Sequence, residues 1–101
     1  MILNGVRWSI CLVAPSHSIL LTPWGTRALG VCDKKTNIIY IDKTLKKKKL
    51  KKVLCHEIVH ASIFSYNIDL SFEEEERLAE LITNYGEEII KQTNKLYNKI
   101  Q

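Results

Sequence analysis

The chain has 101 residues, 46% of them hydrophobic and 26% charged, with a net charge of +4. That is the length of one domain and the composition of an ordinary globular protein, which excludes a disordered or fibrous chain. The apolar run Ile10–Ala14, flanked by Ser9 and Pro15, is too short for a bilayer span or a signal-peptide core, so the expectation is a cytoplasmic protein with no membrane contact.

Val6 to Ala14 is rich in β-branched residues and stops at Pro15-Ser16, which predicts one strand followed by a turn. His17, just past that turn, has no other ligand type at a useful spacing and is read as a solvated loop histidine. Ile19–Leu21 predicts a second short strand, and Pro23-Trp24-Gly25 breaks the chain again. Trp8 and Trp24 are read as core or rim packing. Leu29–Cys32 and Ile38–Ile41 predict a hairpin over the polar loop 33–37, so the sheet, spanning about residues 6–42, is small and partly antiparallel. A free edge of it can accept an extended peptide as an added strand; the sequence does not say which strand that is. The three cysteines, Cys11, Cys32 and Cys55, form no C-x-x-C pair; all three are expected to be buried thiols in a reducing compartment.

Lysines crowd positions 46–52 around Leu50. The plain reading is a solvated loop and first helical turn. A weak, non-specific nucleic-acid contact through Lys46–Lys52 is the sharper alternative, electrostatic only, because no aromatic residue interleaves to stack on bases and the run has no arginine. Cations oppose the dipole at a helix start, so either the helix begins late or Thr44 caps it. From there Val53, His56, Glu57, His60 and Phe64 share one face and Leu54, Ile58 and Ala61 another, which predicts a helix over about 46–65 buried between the sheet and a second helix.

Ser65–Leu70 reads as a turn. Ser71 and Glu74 fit a capping box, and Leu78, Leu81, Ile82, Tyr85, Ile89, Leu96 and Ile100 continue a 3–4 pattern, which predicts a helix over about 71–99 loosened at Gly86.

The chemistry concentrates in His56-Glu57-Ile58-Val59-His60. Histidines four apart lie one turn above each other on a helix and can close on one cation, with Glu57 in reach of a water bound to it. The bland alternative is a chance pentapeptide on an ordinary amphipathic helix. Two histidines need a third protein ligand, and no histidine follows His60, so it should be a carboxylate. Glu76 is favoured, three residues before the small Ala79 that lets the helices approach, with Glu73 and then Glu80 as alternatives. Glu74 is expected to be spent on the cap, and Glu80 to hold a ligating histidine by its other nitrogen. The predicted metal set is His56, His60 and Glu76, with Zn2+ as the ion.

With Glu76-Arg77-Leu78-Ala79-Glu80 after it, the histidine motif resembles the gluzincin-type zincins, and looks more closely similar to the small ImmA/IrrE-like and SprT-like metallopeptidases of phages and mobile elements. Gly30–Asp33 and Ile38–Asp42 resemble the strands leading into their active helix. The likeness covers about residues 28–85 and departs from the pattern at Glu80, where relatives carry Asn or Asp. It implies a zinc-dependent endopeptidase acting on a protein or peptide substrate.

The expectation is therefore a single α+β domain over residues 1–101, minimal and zincin-like, whose Glu57 is the general base of peptide hydrolysis. Two other readings stand beside it: a zinc-stabilised protein-interaction module without turnover, and a non-specific nucleic-acid-associated protein.

Overall fold

A computed structural model describes all residues 1–101. The fold is α+β, with two small sheets and two helices in the order β1 Ile2–Leu3, β2 Val6–Arg7, β3 Ser9–Val13, β4 Gly30–Asp33, β5 Ile38–Asp42, α1 Lys47–Ser65 and α2 Phe72–Ile100. No helix is long and apolar enough to cross a membrane.

The N-terminal strand predicted over 6–14 is divided. Asn4 and Gly5 both have positive φ, +49° and +78°, the left-handed pair that closes a two-residue hairpin. This ties β1 to β2, pairing Leu3 with Val6 and Ile2 with Arg7. The chain then changes partners at Trp8, whose side chain is only 2% exposed, and β3 runs parallel to β5. β4 pairs antiparallel with β5 across the 33–37 turn, as its spacing predicts. The sheet order is β3-β5-β4, so β5 is central and β4 is an edge.

β5 shows period-two burial: Ile39 and Ile41 are fully buried while Ile38 and Tyr40 are half-buried. The buried pair meets Trp8 and Ala61 of α1, with Leu50, Val53, Leu54 and Ile58 packed around them. A second cluster, Val59, Ile63 and Ala79, fills the space between α1 and α2. α1 thus has an apolar side against the sheet and another against α2, the sandwiched position its two faces predict, and Ala79 is the small residue at the close approach.

The ends of both helices follow from local chemistry. α1 closes in a Schellman turn: Asn67 takes φ +53°, the Ile68 N–H donates to the Ile63 carbonyl and the Asn67 N–H to that of Phe64. α2 opens on the predicted capping box, with Glu74 N–H donating to Ser71 Oγ and Ser71 N–H to Glu74 Oε1. The start of α1 differs from expectation. Lys46 is its N-cap and makes no side-chain cap bond. Thr44 instead donates through N–H and Oγ1 to Asp42 Oδ1, at 2.8 and 2.7 Å, because the carboxylate ending β5 captures it first.

Three other expectations change. Ile19–Leu21 is not a strand: Ser18–Leu20 is a 3-10 turn capped by His17, whose Nδ1 accepts from Ile19 N–H, and Leu20 is buried. Trp24 packs on nothing and is 84% exposed. It sits beside Gly25, whose φ of +81° lies in the tight turn that Thr22 and Thr26 close. Cys11 is exposed, on the uncovered face of edge strand β3, and Cys32 and Cys55 are half-buried. α2 runs through Gly86 without interruption to Ile100.

Gly30 is the one glycine whose missing side chain is demanded by a close approach. A Cβ there would lie 2.9 Å from Val53 Cγ1, 3.0 Å from Glu57 Cγ and 3.2 Å from Ile41 Cδ1. Gly30→Ala should therefore lower stability by about 1–3 kcal/mol through overpacking. Urea unfolding measures it; an unchanged midpoint would mean that α1 can draw back from β4 freely.

Candidate metal centre

His56 and His60 project from one side of α1 and meet the first turns of α2. His60 Nε2 lies 3.2 Å from His56 Nε2 and 2.9 Å from Glu76 Oε1, and His56 Nε2 lies 3.5 Å from Glu76 Oε2. One ligand atom from each of the three residues falls within 4.8 Å of the other two. Zinc bonds of about 2.0–2.2 Å at tetrahedral angles hold neighbouring ligand atoms roughly 3.3–3.6 Å apart. The histidine nitrogens, 3.2 Å apart, come close to that edge; Glu76 meets each of them through a different oxygen, and one atom from each residue stays within 4.8 Å of the others, so a small rotation of the carboxylate brings the three residues to fit the ion.

The tautomer of His60 supports the same fit. Its Nδ1 lies 2.6 Å from Glu75 Oε1. A carboxylate only accepts, so Nδ1 donates to Glu75, and with a metal in place Nε2 would turn its lone pair to the ion between His56 and Glu76. Lys34 reaches the same Glu75 oxygen at 3.5 Å from the turn after β4.

Glu75 was not singled out by the sequence. The orienting role was expected of Glu80, one turn beyond Glu76, but Glu80 lines a neighbouring cleft instead. Two consecutive residues at the start of α2 straddle the His60 ring instead, Glu75 at Nδ1 and Glu76 at Nε2. Helical-face spacing cannot show that, because it assumes one face of α2 meets α1. The remaining acids of the cluster are engaged elsewhere. Glu74 is spent on the cap, and Glu73 pairs with Arg77 at 3.2 Å on the exposed side.

Glu57, between the histidines, is 8% exposed. Burial raises its carboxyl above the usual carboxylate range; the two histidines act against that, Glu76 adds to it, and the Cys32 backbone N–H draws it back down. Cys32 stands beside it as a neutral thiol, pushed up to about 12 by burial and then by the Glu57 charge. Two open clefts flank the group. One of about 390 Å3 is lined by Leu29, Gly30, Val53, His56, Glu57 and Thr83, with Lys49 and Lys52 at its rim. The other, about 230 Å3, contains Cys32, Phe72, His60 and Glu76. Glu57 borders both.

The lysine run is divided by this arrangement. Lys51 pairs across to Glu87 of α2, while Lys49 and Lys52 border the larger cleft. His17 lies outside the group, on its own turn.

Compared with protein-family models, with curated proteins and with solved structures, the chain matches none of them.

Proposed function

We propose that this protein is a zinc-dependent metallopeptidase that hydrolyses an extended protein segment. The observation that carries the reading is the convergence of His56, His60 and Glu76 on one point with the buried Glu57 carboxyl alongside. The resemblance of His56–His60 and Glu76–Glu80 to the small zincins supports it. Zinc held by the three residues would supply a Lewis acid for the scissile carbonyl.

The chain's own residues divide the rest of the work. Glu57 accepts the proton of the attacking water and returns it to the leaving amine. Its burial suits that cycle, because a carboxyl raised above its ordinary value holds the proton long enough to deliver it. Glu75 fixes the His60 ring through Nδ1, and Lys34 steadies Glu75. β4 is the sheet edge beside α1, and an extended substrate paired along it would run past Glu57. Thr83 Oγ1, buried on the cleft wall without a hydrogen-bond partner, is a polar contact for such a segment.

Elemental analysis of the purified protein tests the ligand set. The expected result is equimolar zinc in the wild type, its loss in His60→Ala and its weakening in Glu76→Ala. Glu75→Gln should bind zinc roughly 10–100-fold less tightly while keeping the stoichiometry. Zinc retained in Glu76→Ala would transfer the third ligand to another carboxylate. No metal in the wild type, even with zinc added back, would overturn the reading.

A further inference from the structure

We propose that the second half of α2 is a self-association element, through which two copies of this chain pair antiparallel along residues 85–100 with Ile89 of each against Leu96 of the other. The helix is longer than its support. α1 has 19 residues and α2 has 29, about 28 and 43 Å. α2 packs on α1 through Ala79, with Lys51 and Glu87 as the farthest link along it. Every residue from Glu87 to Gln101 is exposed. Ile82, Tyr85, Ile89, Leu96 and Ile100 recur there at helical spacing as one stripe, and Ile89 and Leu96 are 50% and 55% exposed. A lone helical segment of this length is marginal in water, and a continuous apolar stripe marks a contact surface.

The flanks of the stripe identify the occupant as a second copy. Glu88, Lys95 and Lys99 lie on one flank, at steps of seven and four; Ile90 and Tyr97 lie on the other, seven apart. A two-fold axis relating antiparallel helices brings each flank against its own counterpart. With Ile89 level with Leu96, Glu88 stands level with position 97 of the second copy, between its Lys95 and Lys99, and the match occurs twice by symmetry. On the opposite side Tyr97 meets the level between Gly86 and Ile90, where a ring packs on a methyl-bearing side chain and bare backbone. Parallel pairing does the reverse, setting the charged flank against Ile90 and Tyr97 at every level. Lys91, Lys95 and Lys99 have no acidic partner within their own chain. A single helix pair falls at the low end of specific interfaces, roughly 1,200 Å2 or less, so the dimer should dissociate on dilution.

Sedimentation equilibrium of the full chain over a concentration series tests the proposal. The expected mass at high concentration is twice that of the 11.7 kDa chain, falling to one chain on dilution. Leu96→Glu should raise the dissociation constant more than roughly tenfold, by setting a carboxylate against Ile89 and beside Glu88 of the second copy. Leu96 is exposed in the single chain, so circular dichroism should show the helix content kept. Glu88→Lys should also weaken association, and adding Lys95→Glu with Lys99→Glu should restore it, as only the like-flank arrangement allows. A single-chain mass for the wild type at every concentration, as a different partner for the stripe would produce, overturns the proposal. So does a dimer indifferent to Leu96→Glu, or a charge reversal that fails to restore association.

Discussion

Glu57→Gln should leave zinc binding intact and lower peptide hydrolysis roughly 10²–10⁴-fold, the range that a positioned general acid–base group contributes. Glutamine keeps the length and the hydrogen-bonding shape of the side chain, so the packing of Val53 and Gly30 against it survives. What it loses is the capacity to take up a proton. Because His56, His60 and Glu76 are untouched, metal stoichiometry separates the two roles. Hydrolysis retained in a zinc-loaded Glu57→Gln protein would remove Glu57 from the chemistry. A variant that loses zinc as well would show that the carboxylate helps to hold the site rather than to turn substrate over.

The largest effect on stability is expected at Trp8. Its ring is buried, meets Phe64 edge-on at 6.0 Å between centroids, and its Nε1–H donates to Ser65 Oγ at 2.8 Å. Trp8→Ala should cost about 3–5 kcal/mol, a large part of the 5–15 kcal/mol that typically holds a domain together. It would also strand the Ser65 hydroxyl, since Ser65 is only 3% exposed. Trp8→Phe separates the two terms: most of the apolar contact remains, and the missing donor should cost about 1–3 kcal/mol. Urea midpoints with a shared slope measure both. A cost below about 1 kcal/mol for Trp8→Ala would mean that the N-terminal hairpin is not anchored to α1.

Much of this was legible before the structure. The α+β class, the β4–β5 hairpin, the capping box at Ser71 and the sandwiched α1 all rest on local signals that tertiary packing left undisturbed. The boundaries expected for the helices, about 46–65 and 71–99, fall within a residue of those observed. What was missed is where the chain changes partners or meets another element at an angle. Asn4-Gly5 carries a hairpin signal, but it lies ahead of the apolar run that drew the eye, so Val6–Ala14 read as one strand. Leu20 is apolar because it caps the sheet from a 3-10 turn, and periodicity over three residues does not distinguish that from a strand. Within the site, the spacing of His56, Glu57 and His60 is fixed inside one helix and could be read directly. The role of Glu75 depends on how α2 approaches α1, which no spacing rule within α2 contains.

The bond from Trp8 to Ser65 joins groups 57 positions apart, and Asn4 Nδ2 donates to the Ser65 carbonyl across 61. During synthesis the first of each pair emerges well before the second. At roughly 5–20 residues per second, the N-terminal hairpin waits about three to eleven seconds for the end of α1. Until α1 is made Trp8 has no helix to cover it, nor do Ile39 and Ile41 once they follow. His56 and Glu76, by contrast, lie 20 positions apart within one helix–turn–helix, so about one to four seconds separate them at the same rate. Ser65 is nevertheless made eleven residues ahead of Glu76, so the bond that locks the N-terminus to the fold waits longest for its second group yet can close before His56, His60 and Glu76 are all present.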